Sequence, residues 1–367
     1  MAKGFIPVAK PQIGLQERRA VDRVLKSGML AQGPQVAAFE EEFSELVAGG
    51  KPCVAVNSGT SGQHLGLLAG GVGPGDEVIV PSFTFAATAN SVALTGATPV
   101  FADISLDDFC LDPRSVEAAI TNKTVGIMPV HLYGHPAPMK ELQTIAEKHK
   151  LALFEDAAQA HLAEIDGQRV GTFGQFGMFS MYPTKNMTSG EGGMVVCEDE
   201  SFARKVRLLR NQGMEAQYKN EVVGLNNRMT DIHAAIGRVQ LKKLPKWTAT
   251  RQKNARSLTE LITTARTPAV SQTARHVFHQ YTIQVPADRD AVAKRLNEEF
   301  GIGSGVYYPI PNHLLVSLNA YPRVNELPNT LQAAQSVLSL PVHPSLTASD
   351  VKRIATAVNI LAADPHG

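Results

Sequence analysis

Between Lys51 and Cys197 the chain alternates short apolar runs with helical stretches, and no other feature constrains its fold as tightly. The runs are Val54–Val56, Val78–Val80, Pro99–Ala102, Val125–Val130, Leu151–Phe154, Gly177–Ser180 and Met194–Cys197. Helical spacing fills most of the gaps, at Gln63–Ala69, Ala86–Leu94, Arg114–Ile120 and Met139–Lys148. Strands with so little interior polarity are buried on both faces, so the pattern predicts an α/β fold with a mostly parallel seven-stranded sheet covered by helices. In such sheets ligands bind beyond the carboxyl ends of the strands, which directs attention to the residues just after each run.

The flanks read differently. Phe5 to Gln12, with Pro7 and Pro11, is an extended arm; a helix fits Gln16 to Lys26, with Gly28 just past its end. Pro34 suits the first turn of a second helix carrying Val36, Phe39, Phe43 and Leu46, and Gly49-Gly50 stops it. Gly28 to Gly33 between them is a loop able to line a pocket. Thr230 caps a helix that runs to Leu244, and Pro245-Lys246-Trp247 opens another. Beyond it, His279–Val285 alternates like a half-buried strand, Asp290–Phe300 is helical, Gly303–Tyr308 is strand-like and Ser349–Leu361 is a last helix. A chain of 367 residues exceeds what one core usually supports. The expected division is an N-terminal arm and helix over 1–34, a large α/β domain over 35–245 and a small α+β domain over 246–367.

Charge narrows the function. Thirty-five Lys and Arg against 34 Asp and Glu leave no net field for nucleic acid or an anionic membrane, so any anionic ligand needs a local site. Cys53, Cys110 and Cys197 lie apart beside apolar runs and read as reduced, buried thiols rather than a disulfide framework or a metal site. Met1 to Pro7 lacks the apolar core of a signal peptide, and no apolar run spans a bilayer. The expectation is a soluble cytoplasmic protein with no metal, no membrane and no nucleic-acid partner.

Four strand ends carry chemistry. Asn57-Ser58-Gly59-Thr60-Ser61-Gly62 runs from a strand into a helix. That arrangement suits either a phosphate at exposed amides or a tight, ordinarily capped turn. No Gly-Lys-Ser/Thr follows, so it is not the nucleotide P-loop. Glu155-Asp156 closes an apolar strand, and Gln159 and His161 follow among alanines, leaving room for a flat ligand. One carboxylate of the pair should face the crevice; His161 alone is poor support for a metal. Ser82-Phe83-Thr84-Phe85 follows another strand, where spacing alone favours Phe85 as core over Phe85 as a stacking plate. Lys185 sits in a turn just past Ser180, either as a solvated cation or as a Schiff-base amine. A phosphate cradle, an aromatic plate, a carboxylate and a lysine at strand ends are together what pyridoxal phosphate requires.

These residues carry a resemblance to a known family. Asn57-Ser58-Gly59-Thr60, Pro81–Phe85, Pro129–Gly134, Glu155–His161, Ser180–Asn186, Gly190–Gly193 and Gly224–Met229 are similar to the motifs of the DegT/DnrJ/StrS pyridoxal-phosphate aminotransferases, from about Gly28 to the last helix. The resemblance implies a fold-type I aminotransferase that moves an amino group from L-glutamate to a nucleotide-linked keto sugar. A 4-keto-6-deoxyhexose is the first expectation, and a 3-keto sugar or keto-cyclitol the alternative. It further implies that Lys185 holds the cofactor and shuttles the proton, that Asp156 partners the pyridinium nitrogen, and that Gln159 bonds the ring hydroxyl. Gly59, Thr60 and Ser180 would hold the phosphate and Phe85 would stack on the ring. Asn226 and Arg228 would reach the phosphate from a second subunit, making a homodimer the active unit. Met29, Glu191, Tyr308 and His313 would face the substrate, although a structural hydrogen bond explains His313 nearly as well. Glycines 190, 192 and 193 would let the backbone pass close to cofactor and sugar. Met29 departs from relatives that carry an aromatic there. Lys185 is present where some members have histidine and dehydrate, so transamination is expected. A cofactor-binding regulator on the same scaffold ranks low, and a nicotinamide oxidoreductase lacks its Gly-x-Gly-x-x-Gly.

Overall fold

The computed structural model describes residues 4–286 and 288–363, so the reading of Met1–Lys3 lies outside the described residues. Two helices, α1 (Leu15–Ser27) and α2 (Pro34–Leu46), precede the sheet. Gly28 closes α1 in a left-handed conformation (φ 72°), and Pro34 sits in the first turn of α2, where its missing N–H costs nothing. Strict alternation follows: β1 (Cys53–Val56), α3 (Gly59–Ala69), β2 (Glu77–Pro81), α4 (Ala87–Ala93), β3 (Thr98–Ala102), α5 (Pro113–Ala119), β4 (Thr124–Ile127), α6 (Met139–His149) and β5 (Ala152–Asp156). Two short strands, β6 (Glu164–Ile165) and β7 (Gln168–Arg169), separate β5 from β8 (Phe176–Ser180), and β9 (Gly193–Cys197) returns from β8.

All seven apolar runs enter one sheet, in the order β1-β9-β8-β5-β4-β2-β3. Every pairing is parallel except those of β9, which runs against both β1 and β8. The exception has a simple cause: no helix joins β8 to β9, and a parallel return needs a long crossover. β9 therefore starts at the edge where β8 ends, and Gly193 is the register partner of both Val56 and Ser180. Only glycine fits there, since a Cβ would stand 2.7 Å from the Ser58 carbonyl oxygen. At Gly192 a Cβ would meet the Met229 side chain at 2.5 Å. At both positions the missing side chain makes room for neighbouring protein. Phe154 and Phe176 stack in the core on one face of the sheet; Phe43 and Phe179 meet edge to face on the other.

After β9 come α7 (Glu200–Arg210), the hairpin β10 (Met214–Ala216) with β11 (Lys219–Asn220), and α8 (Asp231–Leu261). The chain then forms β12 (Ala274–Arg275), β13 (Tyr281–Gln284), α9 (Arg289–Phe300), α10 (Pro328–Ser336), β14 (Val337–Leu340) and α11 (Ala348–Ala362). Two expectations need correcting. Thr230 caps α8 as read, but the helix continues through Pro245, where a break was expected. Proline costs a helix one hydrogen bond, and here Leu241, Leu244 and Thr248 are buried on both sides of it, so packing holds the helix together. Gly303–Tyr308 forms no strand: one bridge joins Gly305 to Ser339, and Tyr308 lies at φ 59°, which no strand accommodates. The partner of β13 is instead β14, a run the sequence reading passed over. Ile6 of the arm joins the core built by α9, β13, β14 and α11. Among the described residues no helix is long and apolar enough to cross a membrane.

Glu155, one residue from the end of β5, is fully buried and ties the sheet to the loop before β8. It accepts from the backbone N–H groups of Gly171 (2.6 Å), Phe173 (2.6 Å) and Gly174 (3.0 Å). His131 Nδ1 accepts from Ala137 N, so its Nε2–H donates the fourth bond to Glu155, at 3.0 Å. Removing this carboxylate strands buried donors, and Glu155→Ala should lose about 3–5 kcal/mol of stability. A urea-unfolding midpoint within error of wild type would refute that role.

Candidate active site

Seven structural ends converge on one cleft of about 360 Å³ at the carboxyl edge of the sheet. At its floor is the turn from β1 into α3. Ser58 caps α3 by accepting from Ser61 N, which leaves the amides of Gly59 and Thr60 at the helix terminus with no partner within the helix. Gly59 lies so close to β8 that a Cβ would stand 3.1 Å from the Ser180 Cβ and 3.3 Å from its Oγ. Two free amides and the Thr60 and Ser180 hydroxyls form a small anion cradle.

Alternation along β5 sends its two carboxylates to opposite faces. Glu155 enters the core, and Asp156, 4% exposed, lines the cleft. Asp156 is held at both oxygens: Thr88 Oγ1 donates to Oδ2 at 2.7 Å and Ala158 N to Oδ1 at 3.1 Å. Thr88, on α4 and fully buried, escaped the sequence reading because nothing in its spacing sets it apart from a core residue.

Lys185 lines the same cleft. Its amine lies among dense protein atoms, and burial brings it down from 10.5 to about 8, with Asp156 opposing the shift. Two buried imidazoles face this cation. His161 meets Phe43 edge to face and Phe179 at a tilt, with neither ring nitrogen bonded; burial first, and Lys185 second, push it down to about 3. His279 is pushed well below its ordinary value by the same two causes. Both rings are neutral, and Lys185 is the only Lys or Arg lining the cleft among the described residues.

Gln159 is clamped: its Oε1 accepts from Tyr133 N at 2.7 Å, and its Nε2 donates to the Tyr308 hydroxyl at 2.8 Å. Phe85 is 63% exposed and lines the cleft, whereas Phe83 is fully buried. The core role that spacing favoured for Phe85 belongs to Phe83. Glu191 also lines the cleft, as do Gln63, Tyr307 and Gln280, which the sequence reading did not single out.

Four expected residues lie elsewhere in this single chain. Met29 is 55% exposed after α1, and Asn226 is exposed. Arg228 donates to Asn211 Oδ1 at 2.7 Å. His313 is buried on Ser82: its backbone N donates to Ser82 Oγ at 3.1 Å, and its Nδ1 shares a 2.6 Å bond with the same hydroxyl.

The donor set fits pyridoxal phosphate. A flat exposed ring, an anion cradle, a fixed carboxylate and a partly deprotonated amine share one cleft. The buried amide oxygen of Gln63 on its wall also lacks a protein partner, as it would where a polar guest completes the site.

Comparison with known proteins agrees. Residues 11–359 match the model of the DegT/DnrJ/EryC1/StrS aminotransferase family, and the chain belongs to that family of enzymes. It is 42% identical over 343 residues to a UDP-N-acetyl-3-dehydro-alpha-D-glucosamine 3-aminotransferase of Acidithiobacillus ferrooxidans, covering 92% of this chain and 91% of the relative. It is 41% identical to a pleiotropic regulatory protein of Geobacillus stearothermophilus, at the same coverage. Its fold superposes on S. venezuelae DesV, solved with a ketimine intermediate, with a TM-score of 0.93 at 36% identity, covering 99% of this chain and 100% of DesV.

The Lys185 amine reacts only when neutral, and its neutral fraction rises as pH passes through its folded value. The rate at which Lys185 forms a borohydride-reducible adduct with added pyridoxal phosphate should therefore climb with a midpoint near pH 8. A stopped-flow pH series still climbing steeply past pH 10 would show an ordinary exposed lysine instead.

Proposed function

We propose that this aminotransferase uses pyridoxal phosphate to move an amino group from L-glutamate to a nucleotide-linked keto sugar. The observation that carries the proposal is the meeting of Lys185 and Asp156 in one cleft beside the free amides of Gly59 and Thr60. When bound, the cofactor supplies an electron sink for the carbon that loses its proton. Lys185 holds it and, once displaced by the donor amine, moves a proton between carbon atoms as base and then acid; an amine near 8 suits both roles close to neutral pH. Asp156, fixed by Thr88 and Ala158, presents its carboxylate to the pyridine nitrogen. Phe85 stacks on the ring, Gln159 bonds the ring hydroxyl, and Gly59, Thr60 and Ser180 receive the phosphate. Glu191 and Tyr308, on the cleft wall, are proposed toward the sugar nucleotide, whereas Met29 and His313, also expected there, lie outside the cleft of this chain.

A homodimer completes the site in this proposal. Among the described residues the cleft's own wall offers no arginine to a phosphate, while Asn226 is exposed beside a hairpin region bearing the apolar Tyr218 and Val223, 86% and 95% exposed. Asn226 and Arg228 from a second copy would supply that end of the site.

The sequence reading places a 4-keto-6-deoxyhexose first. A 3-keto sugar is the second reading, supported by the printed name of the Acidithiobacillus relative. The regulatory name of the Geobacillus relative supports a non-catalytic alternative, against which stands the retention of lysine, carboxylate and cradle together.

Purified enzyme should carry a visible absorption band that borohydride abolishes, and Lys185→Ala should lack it. A reducible adduct at the same site in the alanine variant would remove Lys185 from this role. Assayed with thymidine-, uridine- and guanosine-linked 3-keto and 4-keto sugars, the wild type should release 2-oxoglutarate from glutamate with one acceptor class at least tenfold faster, about 1.4 kcal/mol in the barrier. Cofactor binding without release for any acceptor would favour the regulator.

A further inference from the structure

Away from the cleft floor, the loop after β3 and the turn after β4 bring three ligand-type side chains together. Asp108, Cys110 and His135 each present one donor atom, and these atoms all lie within 4.8 Å of one another. Cys110 and His135 are buried and Asp108 is half-buried. His135 gives the decisive detail. Its Nδ1 lies 2.7 Å from the Pro136 carbonyl oxygen, which can only accept, so Nδ1 carries the proton. Nε2 is then a bare lone pair, and it is buried without a partner among the described atoms. An imidazole tied back through one nitrogen, with the other stripped and aimed inward, is the arrangement of a metal ligand.

The surroundings agree. Asp108 and His135 line a void of about 10 Å³, as do Tyr133 and Gln280, whose hydroxyl and Oε1 are also buried and unpartnered. The space suits one water or one ion. The bare imidazole nitrogen, bare amide oxygen and carboxylate on this wall are lone-pair donors able to face a cation, and the Tyr133 hydroxyl can turn its oxygen the same way. We propose that Asp108, Cys110 and His135 bind one zinc-class divalent cation.

The mixed sulfur, nitrogen and oxygen set suits zinc, whereas magnesium and calcium demand oxygens throughout. Donors around tetrahedral zinc stand about 3.5 Å apart, so the widest separation here must close by roughly 1 Å, within reach of side-chain rotation. Binding replaces the Cys110 S–H bond by S–Zn and releases the proton to solvent. Without metal, that thiol rests against the carbonyl oxygens of Asp108 (3.6 Å) and His135 (3.9 Å). Three protein donors leave zinc's fourth position to water, and Tyr133, whose backbone N holds Gln159 and whose ring stacks on Tyr308 at 6.4 Å, connects the site to the wall of the cleft.

The test uses tag-free holoenzyme, exposed to zinc chloride and then dialysed against metal-free buffer. Elemental mass spectrometry should find about one zinc per chain, and at least tenfold less in Cys110→Ser and in His135→Gln. Cobalt in place of zinc should give a thiolate-to-metal absorption band in the wild type and none in Cys110→Ser, with retained cofactor absorbance reporting that each variant is folded. A wild type that retains no zinc and shows no cobalt–thiolate band leaves ordered water as the guest and overturns the proposal, whatever becomes of the variants. Equal zinc in the wild type and the two folded variants overturns it as well.

Discussion

The structure depends on one register: Gly193 faces Val56 on one side and Ser180 on the other. Because β9 runs against its neighbours, the loop that leaves β8 must return to the same edge of the sheet. This puts the start of α3, the turn holding Lys185, and Glu191 within one cleft, although Gly59 and Glu191 lie far apart in the chain. A side chain at position 193 would push the Ser58 carbonyl away and open the anion cradle. The constraint is steric and local, and every functional contact at the edge inherits it.

A second constraint separates the two acids of β5. Adjacent residues on a strand face opposite ways, so one carboxylate must go inward wherever the other meets the cleft. Glu155 is rescued from burial by three backbone donors and an imidazole. That solution fixes the loop before β8 and thereby holds the end of β5 against β8. Asp156 owes its aim to the same arrangement, with Thr88 and the amide of Ala158 leaving it little freedom. Burial lowers the Lys185 amine against the pull of Asp156, and the same amine in turn helps keep the buried His161 and His279 neutral.

Much of the sheet and most of the cofactor cleft were legible in the chain because both rest on local pattern. Continuous apolar runs announce buried strands, and the sheet edge where parallel strands end collects the residues that follow them. Where the sequence reading failed, long-range packing overruled local preference. Pro245 breaks helices, yet burial on both sides carries α8 through it. Phe83 and Phe85 differ by two positions and share a face in a strand, but the chain turns there, so one enters the core and the other the cleft. Thr88 and His135 resemble any polar residue in their segments until folding brings their partners within reach.

The sequence by itself determined the strand count, the alternation that makes the sheet parallel, and the residue types able to bind a phosphate, an aromatic ring and an aldehyde. These follow from hydrophobic period and side-chain chemistry, which need no knowledge of distant neighbours. Only the tertiary structure decided which of two acids faces the cleft, how far the Lys185 amine is desolvated, and where His313 rests. It alone brought the donor atoms of Asp108, Cys110 and His135 within 4.8 Å of one another. Burial and proximity are properties of pairs of segments, and a linear pattern does not carry them.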